Sequence, residues 1–270
     1  MTNEVFLSTG AFVGRINNRD YTLISRFADK IEADGFEFMI YEPWYPQLNS
    51  FIDHLKDHGV KVRVIHGDKH LGDLMSEPDQ DSWNECMKLF ERNLSAANRA
   101  GAEKIVAHIW GRPNSDNHAQ IIYDRVGKLM EKAKEYSVDL VSENCVCFTD
   151  PLTHLEKLAD MYPDFGFTFD TRPAQFHSQL KETVQSRVFS KNMRHIHIND
   201  YRGGHMQWDA LYPIYQPGLG DIDFDFFFEN LRAIDYNGTI TLEAPSMKED
   251  TVDFETFNKS IRYIKENLNK

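Results

Sequence analysis

Residues 139–170 read DLVSENCVCFTDPLTHLEKLADMYPDFGFTFD and carry the pattern that decides the fold. Residues 139–143 and 165–170 form two short runs of nearly continuous apolarity, rich in β-branched and aromatic residues, which is typical of strands buried on both faces. Between them, residues 153–161 have the apolar stripe of an amphipathic helix. Asp150 followed by proline has the form of a helix N-cap and first helical position. The segment therefore predicts a strand–helix–strand unit of a parallel sheet.

The same alternation extends through the whole chain of 270 residues. Further strand-like runs lie at residues 5–8, 36–41, 61–66, 104–109, 194–198 and 239–243. Further helical patterns lie at residues 21–33, 48–57, 83–100, 121–136, 226–234 and 254–268. The C′ position of three of these helices falls on a glycine, where a left-handed residue is expected, at Gly35, Gly59 and Gly101.

Eight strand-like runs alternating with helices predict an α/β fold, a single (β/α)₈ TIM barrel over residues 1–270. The alternative is an open doubly wound sheet, which usually has a glycine-rich first turn. The first turn here, residues 8–14, does not match the dinucleotide-binding fingerprint. The weakest part of the prediction is residues 171–191, where no clear helical pattern occurs.

Composition excludes several classes of protein. Hydrophobic residues make up 41% and charged residues 27% of the chain, which argues against a disordered, collagen-like or membrane protein. The formal charge of -12 disfavours general binding to nucleic acid. Three cysteines, Cys86, Cys145 and Cys147, are too few and odd in number for a disulfide framework. With no signal-peptide pattern at the start, these features predict a cytoplasmic protein without membrane or nucleic-acid partners.

Ionisable side chains end six successive predicted strands, at His66, His108, Glu143, Asp170, His197 and Glu243. The carboxyl ends of the strands form the active-site face of a parallel barrel. Carboxylates placed together there would repel one another and would be costly to desolvate. No lysine or arginine lies within the strands at that height, so a divalent cation is the simplest neutralising charge.

Four of these residues form the predicted metal site: Glu143, Asp170, His197 and Glu243. Three carboxylates and one imidazole make a mostly hard ligand set, which suits Mn²⁺ or Mg²⁺ first, with Co²⁺ and Zn²⁺ as alternatives. The competing interpretation is a group of salt-bridged or helix-capping acids at the barrel rim. Cys145 and Cys147 have no second cysteine pair, so a cysteine-rich structural zinc is not expected.

Five segments together resemble the xylose isomerase-like TIM-barrel superfamily, which includes sugar isomerases, ketose 3-epimerases, inositol-catabolism enzymes and endonuclease IV-type proteins. They are VSEN (141–144), FTFDT (167–171), HIHIND (195–200), QPGLGDIDF (216–224) and ITLEAP (240–245). The resemblance implies a divalent metal on the same four residues. Two departures are notable. Pro173 stands where many members carry a histidine, and the Asp-x-His pair of endonuclease IV-type members is absent before the PGLG loop.

The resemblance implies an isomerase or epimerase acting on a small sugar-like carbonyl compound. In that role the metal would chelate two neighbouring substrate oxygens, and Glu143 and Glu243 would move the proton next to the carbonyl. The alternatives are a metal-dependent dehydratase or lyase of an inosose- or dehydroshikimate-like substrate, and a non-catalytic sugar-binding barrel. A homo-oligomer is compatible with the sequence. The candidate substrate contacts are His66, His108, Trp110, Arg202 and Glu42, each of which could equally pack or pair within the protein.

Overall fold

Eight parallel strands close into a barrel in the computed structural model, which describes residues 3–248 and 251–270. The strands are β1 (Val5–Ser8), β2 (Gly35–Met39), β3 (Val62–His66), β4 (Lys104–Ala107), β5 (Asp139–Glu143), β6 (Gly166–Asp170), β7 (Met193–Ile198) and β8 (Thr239–Leu242). Each strand pairs with the next in sequence, and β8 pairs with β1 through Val5 and Ile240. The (β/α)₈ TIM barrel predicted from the sequence is therefore confirmed.

Helices connect the strands on the outside of the barrel. They are α1 (Thr22–Phe27), α2 (Leu48–Asp57), α3 (His70–Ser76), α4 (Gln80–Ala100), α5 (Ala119–Glu135), α6 (Pro151–Met161), α7 (Thr171–Phe176), α8 (Leu180–Val184), α9 (Arg187–Asn192), α10 (Phe224–Ala233) and α11 (Phe254–Leu268). A small antiparallel hairpin, β9 (Met247–Lys248) and β10 (Thr251–Val252), follows the last barrel strand. Within the described residues, no helix is both long and apolar enough to cross a lipid bilayer.

Local signals account for several helix ends. Gly59 and Gly101 follow α2 and α4 with φ of 71° and 73°, the left-handed conformation that the sequence predicts. The side chain of Asp150 accepts a hydrogen bond from the amide of Thr153 at 2.7 Å and caps α6. The prediction for Gly35 is wrong, because Gly35 is the first residue of β2. The chain leaves the helical conformation before Gly35, so that residue has no helix to end.

Alternation along the strands divides the barrel interior into layers. Phe6, Val64, Val106 and Val141 form a separate buried apolar cluster. Two residues further along three of these strands come His66, His108 and Glu143. Because side chains two residues apart in a strand point to the same face, these polar groups stand above the apolar layer, at the carboxyl end of the barrel. The two-residue alternation of side chains along the strands thus places the candidate site at the carboxyl end of the barrel.

Candidate metal centre

The carboxylate of Glu143 lies among three histidines contributed by three other strands. Its Oε2 atom is 2.8 Å from Nε2 of His108, 3.4 Å from Nε2 of His66 and 3.5 Å from Nδ1 of His197. The same Nδ1 atom is 3.4 Å from Oε2 of Glu243. Glu243 follows β8 directly and His108 follows β4 directly, one residue after the strand in each case.

Asp170 completes the group. One potential ligand atom from each of Glu143, Asp170 and His197 lies within 4.8 Å of the others. Glu243, the fourth residue of the predicted metal site, contacts His197 and meets the same distance limit with Glu37, His66 and His197, but not with Asp170. A second set, His66, His108 and Glu143, meets the same distance limit.

Two buried polar atoms of the cluster support a cation there. Oδ1 of Asp170 accepts hydrogen bonds from the amide of Arg172 at 2.9 Å and from Nδ2 of Asn199 at 3.0 Å. Oδ2 of Asp170 and Nδ1 of His197 are buried and make no well-formed hydrogen bond to any described residue. An unpaired polar atom in a protein interior costs about 1–3 kcal/mol, and a divalent cation between these atoms would remove that cost. The residues present therefore fit a metal ion.

Burial and neighbouring charges shift the pKa values of the ionisable groups in the cluster. Burial, together with the neighbouring charge of Glu143, raises the pKa of Asp170 to about 7. Burial would also raise the pKa of Glu143, but His108 and the other two histidines hold it well below its usual range. Burial would lower the pKa of His197, yet Glu243 and Glu37 raise it well above its usual range. Without a cation, imidazolium charge and partial protonation of Asp170 at neutral pH therefore limit the repulsion between the acids of the cluster.

Glu37 lies in the middle of β2 and was not identified from the sequence. Its carboxylate is fully buried and accepts hydrogen bonds from Nε2 of His195 at 2.9 Å, from Oγ1 of Thr241 at 2.9 Å and from Nε2 of His197 at 3.1 Å. Burial would raise the pKa of Glu37, but His197 and His195 hold it well below its usual range. Since Nε2 of His197 is bound to Glu37, its Nδ1 atom is left for the cluster. The available signal was a charged residue inside the apolar run GFEFM.

Two cationic side chains also influence the cluster from outside the strands. Lys69 belongs to the connection between β3 and α3; desolvation would lower its pKa, but Glu243 and Glu143 raise it. Arg172, in the first turn of α7, lowers the pKa of Asp170 in opposition to the effect of burial. Within the strands, the sequence has no lysine or arginine at the height of the cluster. These two residues show that the segments after the strands also supply positive charge.

The other predicted substrate contacts have partners of their own. Trp110 is buried, donates from Nε1 to Asp116 at 2.7 Å and packs on the ring of His154. Arg202 donates to the carbonyl of Leu219 and lies over the ring of Tyr215. Glu42 is exposed at the start of a 3₁₀ turn after β2, where it lines a groove with Asp68 and His70. Of the five predicted contacts, only His66 and His108 touch the cluster in the part of the chain that the structure describes.

The glycine loop before α10 is organised around an acid. The carboxylate of Asp200 accepts hydrogen bonds from the amides of Gly218 at 2.9 Å, Gly220 at 2.8 Å and Ile222 at 3.1 Å. Gly218 has φ of 83°, which favours glycine. These amides are already bound to a carboxylate, so the loop is a turn and not a phosphate cradle.

Comparison with known proteins identifies the fold. A family model described as a xylose isomerase-like TIM barrel matches residues 25–267. No curated protein matches the sequence.

Solved structures cover nearly the whole chain. L-ribulose 3-epimerase is 15% identical, with a TM-score of 0.75 over 99% of this chain and 95% of that chain. D-allulose 3-epimerase from Methylomonas sp., in complex with D-allulose, is 17% identical, with a TM-score of 0.73 over 98% of this chain and 97% of that chain. IolI protein with a bound zinc atom is 16% identical, with a TM-score of 0.71 over 98% of this chain and 96% of that chain. At such identities the likeness establishes the fold.

Proposed function

Because the chain belongs to the xylose isomerase-like TIM-barrel family, we propose that it is a divalent-metal-dependent isomerase or epimerase of a small polyhydroxy carbonyl compound. The main supporting observation is the convergence of Glu143, Asp170, His197 and Glu243 at the carboxyl end of the barrel, with buried ligand atoms left unpaired. Similar structures include sugar 3-epimerases, one of them in complex with D-allulose. A small carbohydrate-like molecule is therefore the proposed partner.

Mn²⁺ or Mg²⁺ is the proposed metal because three of the four ligands are carboxylates. Zn²⁺ remains an alternative, since the IolI structure carries zinc. A bound divalent cation would supply Lewis acidity toward two neighbouring substrate oxygens, which lowers the pKa of the carbon-bound proton beside the carbonyl.

Two carboxylates can then move that proton. Glu143 ends β5 and Glu243 follows β8, so they approach the barrel mouth from different sides. The histidines around Glu143 keep its pKa low and hold it as the carboxylate, the form that accepts a proton. Epimerisation needs a proton removed from one face of the carbon and returned to the other, which suits two opposed carboxylates. Isomerisation, in which the proton moves between two neighbouring carbons, needs only one of the two carboxylates.

Exchange of solvent deuterium into a library of sugars tests the proposal. Glu143→Gln is isosteric and should reduce exchange and turnover by roughly 10²–10⁴-fold, because the amide cannot accept the proton. Asp209→Asn is the matched control, since Asp209 is an exposed acid in a separate 3₁₀ turn. Full activity of Glu143→Gln with metal still bound would remove Glu143 from the mechanism.

The same assay separates the alternatives. β-Elimination by a dehydratase or lyase begins with the same proton abstraction but yields an enone or diketone, which absorbs in the ultraviolet. A non-catalytic sugar-binding barrel would give neither deuterium exchange nor a new absorbance with any sugar tested.

A further inference from the structure

A second group of potential metal ligands lies outside the barrel-mouth cluster. Asp116 is in the 3₁₀ turn Pro113–His118 after β4, Cys147 is in the loop after β5, and His154 is in α6. One potential ligand atom from each residue lies within 4.8 Å of the others. We propose that Asp116, Cys147 and His154 bind a zinc ion that is separate from the metal of the barrel mouth.

His154 presents an unpaired nitrogen to this site. The side chain is 8% exposed, and its Nε2 atom makes no well-formed hydrogen bond to any residue in the described ranges. Nε2 lies 3.4 Å from Oδ1 of Asp116, while Nδ1 lies 2.6 Å from the hydroxyl of Tyr123. With the ring proton on Nδ1 and donated to Tyr123, the lone pair of Nε2 points to the site. Metal-binding histidines are commonly oriented in this way by a partner on the other ring nitrogen.

Asp116 is held as an oriented carboxylate. Its Oδ2 atom accepts hydrogen bonds from the amides of Phe148 at 2.9 Å and Thr149 at 2.6 Å, and its Oδ1 atom accepts one from Nε1 of Trp110 at 2.7 Å. Burial would raise the pKa of Asp116, but these hydrogen bonds lower it, so the carboxylate is ionised. A carboxylate oxygen has two lone pairs, so Oδ1 still has one lone pair with which it can bind a metal ion beside His154.

Cys147 supplies the feature that selects zinc. Its thiol is almost fully buried, and burial together with Asp116 raises its pKa, so the metal-free side chain is a neutral thiol. A coordinated divalent cation releases the thiol proton. One thiolate, one carboxylate and one neutral imidazole then balance the two positive charges of the ion. A thiolate suits zinc better than Mg²⁺ or Mn²⁺.

The spacing is compatible with zinc coordination. Ligands of a tetrahedral zinc ion lie roughly 3.5 Å apart, given bond lengths of 2.0–2.3 Å. The 3.4 Å separation of Nε2 of His154 and Oδ1 of Asp116 fits that geometry. Three protein ligands leave a fourth position for water. Only one cysteine takes part, so the site differs from the cysteine-rich zinc that the sequence argues against.

The proposed zinc would connect three segments at the rim of the barrel. It would link the turn after β4, the loop after β5 and α6. Through Asp116 it would also fix Trp110, whose ring packs on His154 with centroids 4.2 Å apart. Its role would therefore be structural, holding the wall of the mouth beside the barrel-mouth cluster.

Cobalt substitution tests the site without any measurement of activity. Co²⁺ bound to a thiolate gives a charge-transfer band in the near ultraviolet, and the four residues of the barrel-mouth site contain no sulfur. After chelator treatment and addition of Co²⁺, the full-length protein should show the band. The double variant Glu143→Gln, His197→Ala should keep it, because that change affects only the barrel mouth.

Cys147→Ser and His154→Gln should each lose the band, with circular dichroism confirming that the variant is folded. Cys145→Ser and Cys86→Ser are the matched controls and should retain it. The absence of a thiolate band in the wild-type protein, or its persistence in Cys147→Ser, would overturn the proposal. Neither result bears on sugar turnover, so failure of this site is distinguishable from failure of the proposed function.

Discussion

The ring of His197 faces a different set of carboxylates at each nitrogen. Nε2 is 3.1 Å from Glu37, whereas Nδ1 is 3.4 Å from Glu243 and 3.5 Å from Glu143. A neutral imidazole carries a proton on only one nitrogen. With a cation bound and the imidazole neutral, the contact with Glu37 would keep the proton on Nε2 and leave the lone pair of Nδ1 for the cation.

Glu37→Gln should consequently weaken metal binding, by roughly 10–100-fold, the usual effect of losing a partner behind a metal-bound histidine. The variant keeps the side-chain volume but removes the negative charge that orients the imidazole. Calorimetric titration of chelator-treated protein with Mn²⁺ measures the effect. Glu103→Gln is the control, because Glu103 is an exposed acid paired with Arg63. Equal affinities in the two variants would show that Glu37 does not orient His197.

The sequence reveals residues at strand ends but not Glu37, for a physical reason. Glu143 and Asp170 end strands and His197 lies one residue before the end of β7; because the ends of parallel strands share one level, position in sequence indicates position in space. Glu37 lies inside a strand, and its partners His195 and His197 are more than 150 residues away. No local pattern reveals such a contact.

The helices between β6 and β7 could not be predicted from the sequence. The three helices there, α7 to α9, have six, five and six residues, which is too short for a full amphipathic repeat. Side-chain caps mark two of them instead: Asp170 accepts a hydrogen bond from the amide of Arg172, and Ser186 accepts one from the amide of Phe189. Longer helices such as α2 and α11 have the bounds that their periodicity predicts.

His177, directly after α7, should make the stability of the protein depend on pH. Its Nε2 atom accepts a hydrogen bond from the amide of Cys147 at 3.3 Å, which only the unprotonated nitrogen can do. Burial, followed by the neighbouring His205, lowers the pKa of His177 from 6.5 to about 4, against the opposite influence of Asp150 and Asp116. The unfolded chain thus takes up this proton at a higher pH than the folded protein does. The contribution is complete above pH 6.5 and is lost as the pH falls toward 4.

His177→Gln keeps an acceptor and removes the titration. Its melting temperature should fall less steeply than that of the wild type between pH 6.5 and pH 4, as followed by circular dichroism. His58→Gln, at an exposed position after α2, controls for the loss of a histidine. The prediction fails when the His177 and His58 variants show the same acid sensitivity.

The net negative charge of the protein should prevent it from acting on nucleic acid. A formal charge of -12 repels a phosphate backbone, and the stretch before the PGLG loop lacks the Asp-x-His pair of endonuclease IV-type proteins. We expect no incision of duplex DNA containing an abasic site at physiological salt, as measured by gel electrophoresis. Clean, metal-dependent incision that disappears in Glu143→Gln would restore the nuclease interpretation.

The closed barrel should also make stability depend on metal. The four proposed ligands come from β5 to β8 and meet only when the barrel is folded, so an ion held by them would bind the native state and hardly the unfolded chain. Mass action then stabilises the fold by about 2.7 kcal/mol at a hundredfold excess of ion over Kd. Metal removal would also leave Asp170 and its neighbouring acids without a cation to offset their repulsion.

Chelator-treated protein should therefore melt at a higher temperature when Mn²⁺ is added. Mn²⁺ is the appropriate probe because a site containing a thiolate binds it poorly. The shift should be much smaller in Asp170→Asn and in His197→Ala, which remove ligands from the proposed site, and unchanged in Asp209→Asn, which alters an exposed acid elsewhere. An identical response of the wild type and His197→Ala would mean that the four-residue site is wrong. The acids at the barrel mouth would then have to be balanced by the histidines around Glu143, together with Lys69 and Arg172.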